Sequence, residues 1–127
     1  MSEDAGLLLF LYQGCAFKVA DGVQLPKAGS LLFCRHLAFR PGERVLEIGA
    51  GVGLAAVLAA RAGSEVIATD VLEAAVRCTR DNAILNGVAD RVEARLGNCY
   101  EPVSGLGFDL ICTSPPQMLR PLTPGRE

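Results

Sequence analysis

The sequence predicts an α/β domain built on a parallel sheet, and three observations carry that prediction. Short β-branched runs alternate with helical segments, which is the sign of a parallel sheet with crossover helices. A glycine-rich turn, Gly49-Ala50-Gly51-Val52-Gly53, joins the first buried run to the helix after it. The chain has 127 residues, 50% of them hydrophobic, which is enough for one core and too few for two.

Each element follows in order. Ala16-Phe17-Lys18-Val19 and Val23-Gln24-Leu25 flank Ala20-Asp21-Gly22, and this predicts a small hairpin. A helix is expected from about Ser30 to Phe39, broken by Pro41-Gly42. Arg44 to Ile48 reads as the first sheet strand, Val52 to Ala62 as a helix ending at Gly63, and Glu65 to Thr69 as the second strand, closed by Asp70. Leu72 to Leu85 predicts an amphipathic helix, with Leu72, Ala75, Val76 and Ile84 inward, Arg77, Arg80 and Asp81 outward, and Asn86-Gly87 at its end. Arg91 to Leu96 and Phe108 to Cys112 supply a third and a fourth strand. Pro115, Pro116, Pro121 and Pro124 exclude regular structure beyond them. The organisation expected is a hairpin and helix over residues 1–40, an α/β core over 41–117 and a proline-rich tail over 118–127.

A net charge of −2 and a pI near 5.4 give no overall attraction to phosphate backbones, so nucleic acid is not favoured as a partner. The apolar run Leu7 to Tyr12 is too short to span a membrane and follows Glu3 and Asp4, so neither an anchor nor a signal peptide is expected. Cys15, Cys34, Cys78, Cys99 and Cys112 form no C-x-x-C pair and lie beside no histidine. They read as free thiols in a reducing cytoplasm, with no metal site. His36, the only histidine, sits on the early helix and is not taken as catalytic.

The chemistry begins at Gly49, Gly51 and Gly53, which allow a tight turn and let a ligand lie against bare backbone. A dinucleotide fingerprint would put its last glycine at position 54, where Leu54 stands, and this disfavours a nicotinamide-dependent oxidoreductase. Asp70, at the end of the second strand, can accept hydrogen bonds from both hydroxyls of a ribose, or cap the helix that follows, or both. Thr113-Ser114-Pro115-Pro116-Gln117 follows the fourth strand at the same sheet edge; two prolines remove two donors and leave carbonyls free to accept from an amino group.

Glu47-Ile48-Gly49-Ala50-Gly51-Val52-Gly53 resembles the first motif of class I S-adenosylmethionine-dependent methyltransferases. The resemblance implies a Rossmann-like methyltransferase fold with S-adenosyl-L-methionine as cofactor, held by Glu47, Gly49, Ala50, Gly51 and Gly53. It further implies Asp70 on the ribose, Val71 along the adenine and Asn98 at the adenine amino group, where an ordinary Asx-turn is the alternative. Arg80 to Gly87 is similar to a helix end found in methyltransferases of protein glutamine, ribosomal protein or RNA amino groups. Lys27 to Ser30 corresponds to a segment over the methionine end.

Ser114-Pro115-Pro116 resembles the Asn/Asp/Ser-Pro-Pro-aromatic motif of amino methyltransferases, in which the first side chain and a proline carbonyl orient the target nitrogen. The resemblance gives these three residues the catalytic role, by proximity and alignment without a strong base. Gln117 replaces the aromatic residue that normally stacks on a planar substrate, which argues against a nucleobase or a simple amide target. The expected function is N-methylation of an amino or amide group on a small molecule or protein. A cofactor-binding module without turnover and an RNA amino methyltransferase are the alternatives. The family sheet has seven strands and this sequence supplies its first four, so a homodimer, or a second chain completing the sheet, is expected at the open edge.

Overall fold

Gln13 and Gly14 decide the first element. Both adopt positive φ, 49° and 79°, the backbone of a tight hairpin turn whose twist matches its strands. They join β1 (Leu8–Tyr12) to β2 (Cys15–Val19) in antiparallel register, with Phe10 opposite Phe17 and their rings stacked 5.1 Å apart. The hairpin is therefore displaced from the sequence expectation: Ala16 to Val19 is its second strand, not its first. Ala20-Asp21-Gly22 does turn, with the Val23 amide donating to the Ala20 carbonyl, but Val23 to Leu25 forms no strand. The apolar run from Leu8, which on hydropathy alone carried no element, is the missing partner.

The computed structural model describes residues 8–26, 38–98 and 107–113. The expected helix over 30–39 lies almost wholly outside these residues, as do His36, Cys34 and Cys99.

The main sheet contains β3 (Arg44–Ile48), β4 (Glu65–Asp70), β5 (Val92–Leu96) and β6 (Leu110–Thr113), all parallel, in the order β5-β4-β3-β6. Helix α1 (Leu54–Arg61) connects β3 to β4, and α2 (Glu73–Leu85), followed by a short 3-10 turn at Ala89–Arg91, connects β4 to β5. The two helices touch each other and both pack on β4. From β3 the chain steps outward through β4 to β5, then returns to place β6 on the other side of β3. That reversal makes the carboxyl ends of β3 and β6 a topological switch point, where open α/β sheets bind ligands.

The core lies between the helices and this sheet face, where Val45, Val66, Ala68 and Cys112 meet Val57 and the alanines of α1. At the far edge the Asp109 carboxylate accepts the Arg44 amide at 2.8 Å and the Arg44 guanidinium lies 5.5 Å from the Phe108 ring, fixing the start of β6 on β3.

Helix α2 departs from its expected pattern. Leu72 and Ile84 are 52% and 65% exposed, whereas the buried face is Ala75, Val76, Cys78, Thr79, Asn82 and Ala83. It is a face of small and polar side chains, because it packs on the glycine turn and the hairpin rather than only on apolar sheet surface. Among the described residues no helix is long and apolar enough to cross a membrane.

Candidate cofactor site at the glycine turn

Gly49, Gly51 and Gly53 all adopt positive φ, 73°, 57° and 84°, conformations that L side chains rarely take. The turn leaves β3 with the amides of Gly49 and Ala50 both donating to the Thr69 carbonyl of β4, at 2.9 and 3.0 Å, and closes with the Gly53 amide on the Ala50 carbonyl at 2.8 Å. A Cβ on Gly51 would enter open space, so this glycine leaves its outer side free. A Cβ on Gly53 would instead stand 2.9 Å from Thr79 Cγ2, so that glycine is required by close approach to α2.

Asp70 ends β4 beside this turn. One carboxylate oxygen accepts the Gly51 amide at 3.0 Å and the other accepts the Leu72 amide at 2.9 Å. The side chain is thus both a clamp on the turn and the start of the chain's entry into α2. Each oxygen still has a free lone pair, and a half-buried carboxylate at a strand's end can take hydroxyl donors. Val71 follows it, 61% exposed. The Gly97 amide donates to the Asp70 carbonyl at 2.9 Å, which brings exposed Asn98 to the same edge.

Glu47 lies deeper. It is 2% exposed, and one of its oxygens accepts the Ala56 amide in the first turn of α1 at 2.8 Å. Helix α1 has Gly53 as its N-cap and no side-chain cap, so the Glu47 carboxyl serves from outside the helix. Burial pushes its pKa up to about 8, against the lowering effect of the Ala56 and Ala55 amides, and nearby Asp70 adds to the rise. With Glu47 on these amides and Leu54 buried, the start of α1 is not an open pyrophosphate cradle. Burial, then Glu47, pushes the Cys112 thiol up to about 11, so it stays protonated at neutral pH. Cys15, Cys78 and Cys112 are all buried and free.

The back of the turn rests on residues whose part in the site was not read from the sequence. Thr79 Oγ1 donates to the Gly51 carbonyl at 3.1 Å, and Asn82 Nδ2 donates to the Val52 carbonyl at 2.8 Å. The signal was present: Thr79 and Asn82 are polar residues at positions that helical spacing puts on the inward face with Ala75 and Val76. Ser114, Pro115, Pro116 and Gln117 lie outside the described residues. The last described residue before them, Thr113, pairs with Ile48 immediately before Gly49. Lys27 to Ser30 also lie outside the described residues.

The family model of the methyltransferase small domain matches residues 24–119. The chain belongs to this family. It is 39% identical over 109 residues to the release factor glutamine methyltransferase of Aquifex aeolicus, covering 81% of this chain and 39% of that protein. It is 31% identical over 107 residues to a putative protein N5-glutamine methyltransferase of Methanocaldococcus jannaschii, covering 84% of this chain and 53% of that one. Among solved structures, the Pyrococcus abyssi tRNA (uracil-54, C5)-methyltransferase in complex with S-adenosyl-L-homocysteine superposes with a TM-score of 0.70 at 22% identity, covering 84% of this chain and 27% of that one. This last likeness shows the Rossmann-like fold. The chain thus spans about two fifths of the Aquifex protein and about half of the Methanocaldococcus one.

Proposed function

We propose that the protein binds S-adenosyl-L-methionine at the Gly49–Gly53 turn and transfers its methyl group to the nitrogen of an amine or amide. The observation that carries the reading is the Asp70 carboxylate, which joins the turn to the end of β4 and keeps acceptor capacity at the sheet's switch point. The residues present fit the cofactor: open space outside Gly51 admits a ligand against backbone, Asp70 suits a ribose, and exposed Val71 and Asn98 stand beyond it for a base. Glu47 supports the turn from within, through α1.

When bound, the cofactor supplies a sulfonium methyl with a good leaving group. The chain's own task is then to hold the acceptor nitrogen in line and exclude water. Ser114, Pro115 and Pro116 directly follow β6, whose last residue pairs beside the turn, and are assigned that task. A protein glutamine amide is the acceptor we favour, from the similarity to two glutamine methyltransferases. We place the protein in the cytoplasm, in keeping with buried free thiols, and propose that a homodimer or a second chain meets β6, where Ile111 is 45% exposed.

The test is methyl release from labelled S-adenosyl-L-methionine with glutamine-containing peptides, free amines and RNA as acceptors. Transfer to peptide is expected, and Ser114→Ala should lower kcat more than it raises the cofactor KM. Cofactor binding without transfer to any acceptor would replace this reading with that of a binding module. Transfer to RNA alone would move the substrate class.

A further inference from the structure

The polar face of α2 reaches two regions at once. Asn82 is fully buried: its Oδ1 accepts the Lys18 amide at 2.8 Å, while Nδ2 donates to the Lys18 carbonyl at 2.9 Å and to the Val52 carbonyl at 2.8 Å and lies 3.6 Å from Cys78 Sγ. One turn further on, Asn86 repeats the pattern on the hairpin, its Nδ2 also donating to the Asn82 carbonyl at 2.8 Å. Its Oδ1 accepts the Ala16 amide at 2.9 Å and its Nδ2 donates to the Ala16 carbonyl at 2.7 Å. The spacing explains the pair: four residues of helix rise about 6 Å and two residues of strand about 6.7 Å. Two carboxamides at i and i+4 therefore meet two outward-facing peptide groups at i and i+2 of β2. They close that strand's free edge as a neighbouring strand would.

Only Asn82 also grips the glycine turn, together with Thr79 on the Gly51 carbonyl. A turn with three glycines at positive φ loses more conformational freedom on ordering than ordinary backbone. Contacts that hold it in the free protein lower the cost of ordering it for a ligand. We infer that Asn82 and Thr79 are positioning residues for the cofactor, and that through Asn82 the N-terminal hairpin is mechanically part of the cofactor site. The coupling rests on the reading of this turn as the S-adenosyl-L-methionine site. It makes order in the hairpin and order in the turn rise together, so that cofactor binding slows amide exchange at Lys18, far from the turn in sequence.

The experiment combines calorimetric titration of S-adenosyl-L-methionine with residue-resolved hydrogen exchange on the full chain. Asn82→Ala is expected to raise the cofactor Kd at least about tenfold, to raise the cofactor KM while leaving kcat at saturation near wild type, and to speed exchange at both Lys18 and Gly53. Asn86→Ala should speed exchange at Ala16 and change the Kd less than about twofold. Should Asn82→Ala fail to fold, Thr79→Val, which removes only the hydroxyl, decides the positioning claim: the Kd rises and Thr79→Ser restores it. Coupling is then read in the wild type, as slower Lys18 exchange on adding cofactor. Folded variants with wild-type affinity, or Lys18 exchange indifferent to cofactor, would overturn the inference. A wild type that binds no S-adenosyl-L-methionine would overturn the cofactor reading instead. In that case exchange at Gly53 in the free Asn82→Ala or Thr79→Val protein still decides whether α2 holds the turn.

Discussion

Helices α1 and α2 pack on the same sheet and meet the same glycine turn, yet hold it by different physics. Every residue of α1 from Leu54 to Ala60 is buried, and all are Ala, Leu or Val. The helix is held by apolar burial, with one buried carboxyl, Glu47, at its first turn. Helix α2 buries Thr79 and Asn82 among small residues and attaches through directed hydrogen bonds. Apolar packing fixes where α1 lies, but it is non-directional and does not fix a backbone rich in glycine. Hydrogen bonds from α2 and Asp70 supply the missing direction.

The comparison can be broken at its most heavily loaded points first. Glu47 has a folded pKa of about 8, raised by burial from the ordinary 4.5. Between these values the folded state holds the proton that the unfolded state has lost. The stabilisation present below about pH 4.5 is therefore lost as pH rises through about 8. Chemical denaturation should show stability falling by on the order of 3 kcal/mol from about pH 5 to about pH 8. Glu47→Gln, which removes the ionisable group, should flatten that slope.

Gly53→Ala comes next, because its Cβ meets Thr79 at 2.9 Å in a strained conformation. It should cost about 2 kcal/mol, whereas Gly51→Ala, strained but with open space, should cost less and weaken ligand binding more. The smallest effect should come from Asp81→Asn. It breaks a 2.6 Å ion pair with Lys18 whose two side chains are 47% and 30% exposed, and denaturant midpoints should register less than about 0.5 kcal/mol.

Much of this was legible in the sequence, for reasons particular residues make plain. Val45, Leu46, Val66 and Ala68 announce buried parallel strands, and the glycines announce the turn, because periodicity and positive φ are local properties. The hairpin was misplaced because its turn, Gln13-Gly14, carries positive φ at a residue type that rarely advertises it, while Ala20-Asp21-Gly22 is a true turn with no strand after it. The roles of Thr79 and Asn82 depend on which backbone groups lie opposite them, and that is a tertiary fact. Ser114-Pro115-Pro116 was legible as a motif and lies beyond the described residues.

The central claim is that the Gly49–Gly53 turn and Asp70 together bind S-adenosyl-L-methionine, and isothermal titration of the wild type and of Asp70→Ala tests it most directly. Wild-type protein should bind with one site per chain, and Asp70→Ala should lose on the order of 1.5–3 kcal/mol of binding free energy through the missing charge-assisted hydrogen bonds. Equal affinity in the two proteins would contradict the ribose assignment, and no binding by the wild type would contradict the account as a whole.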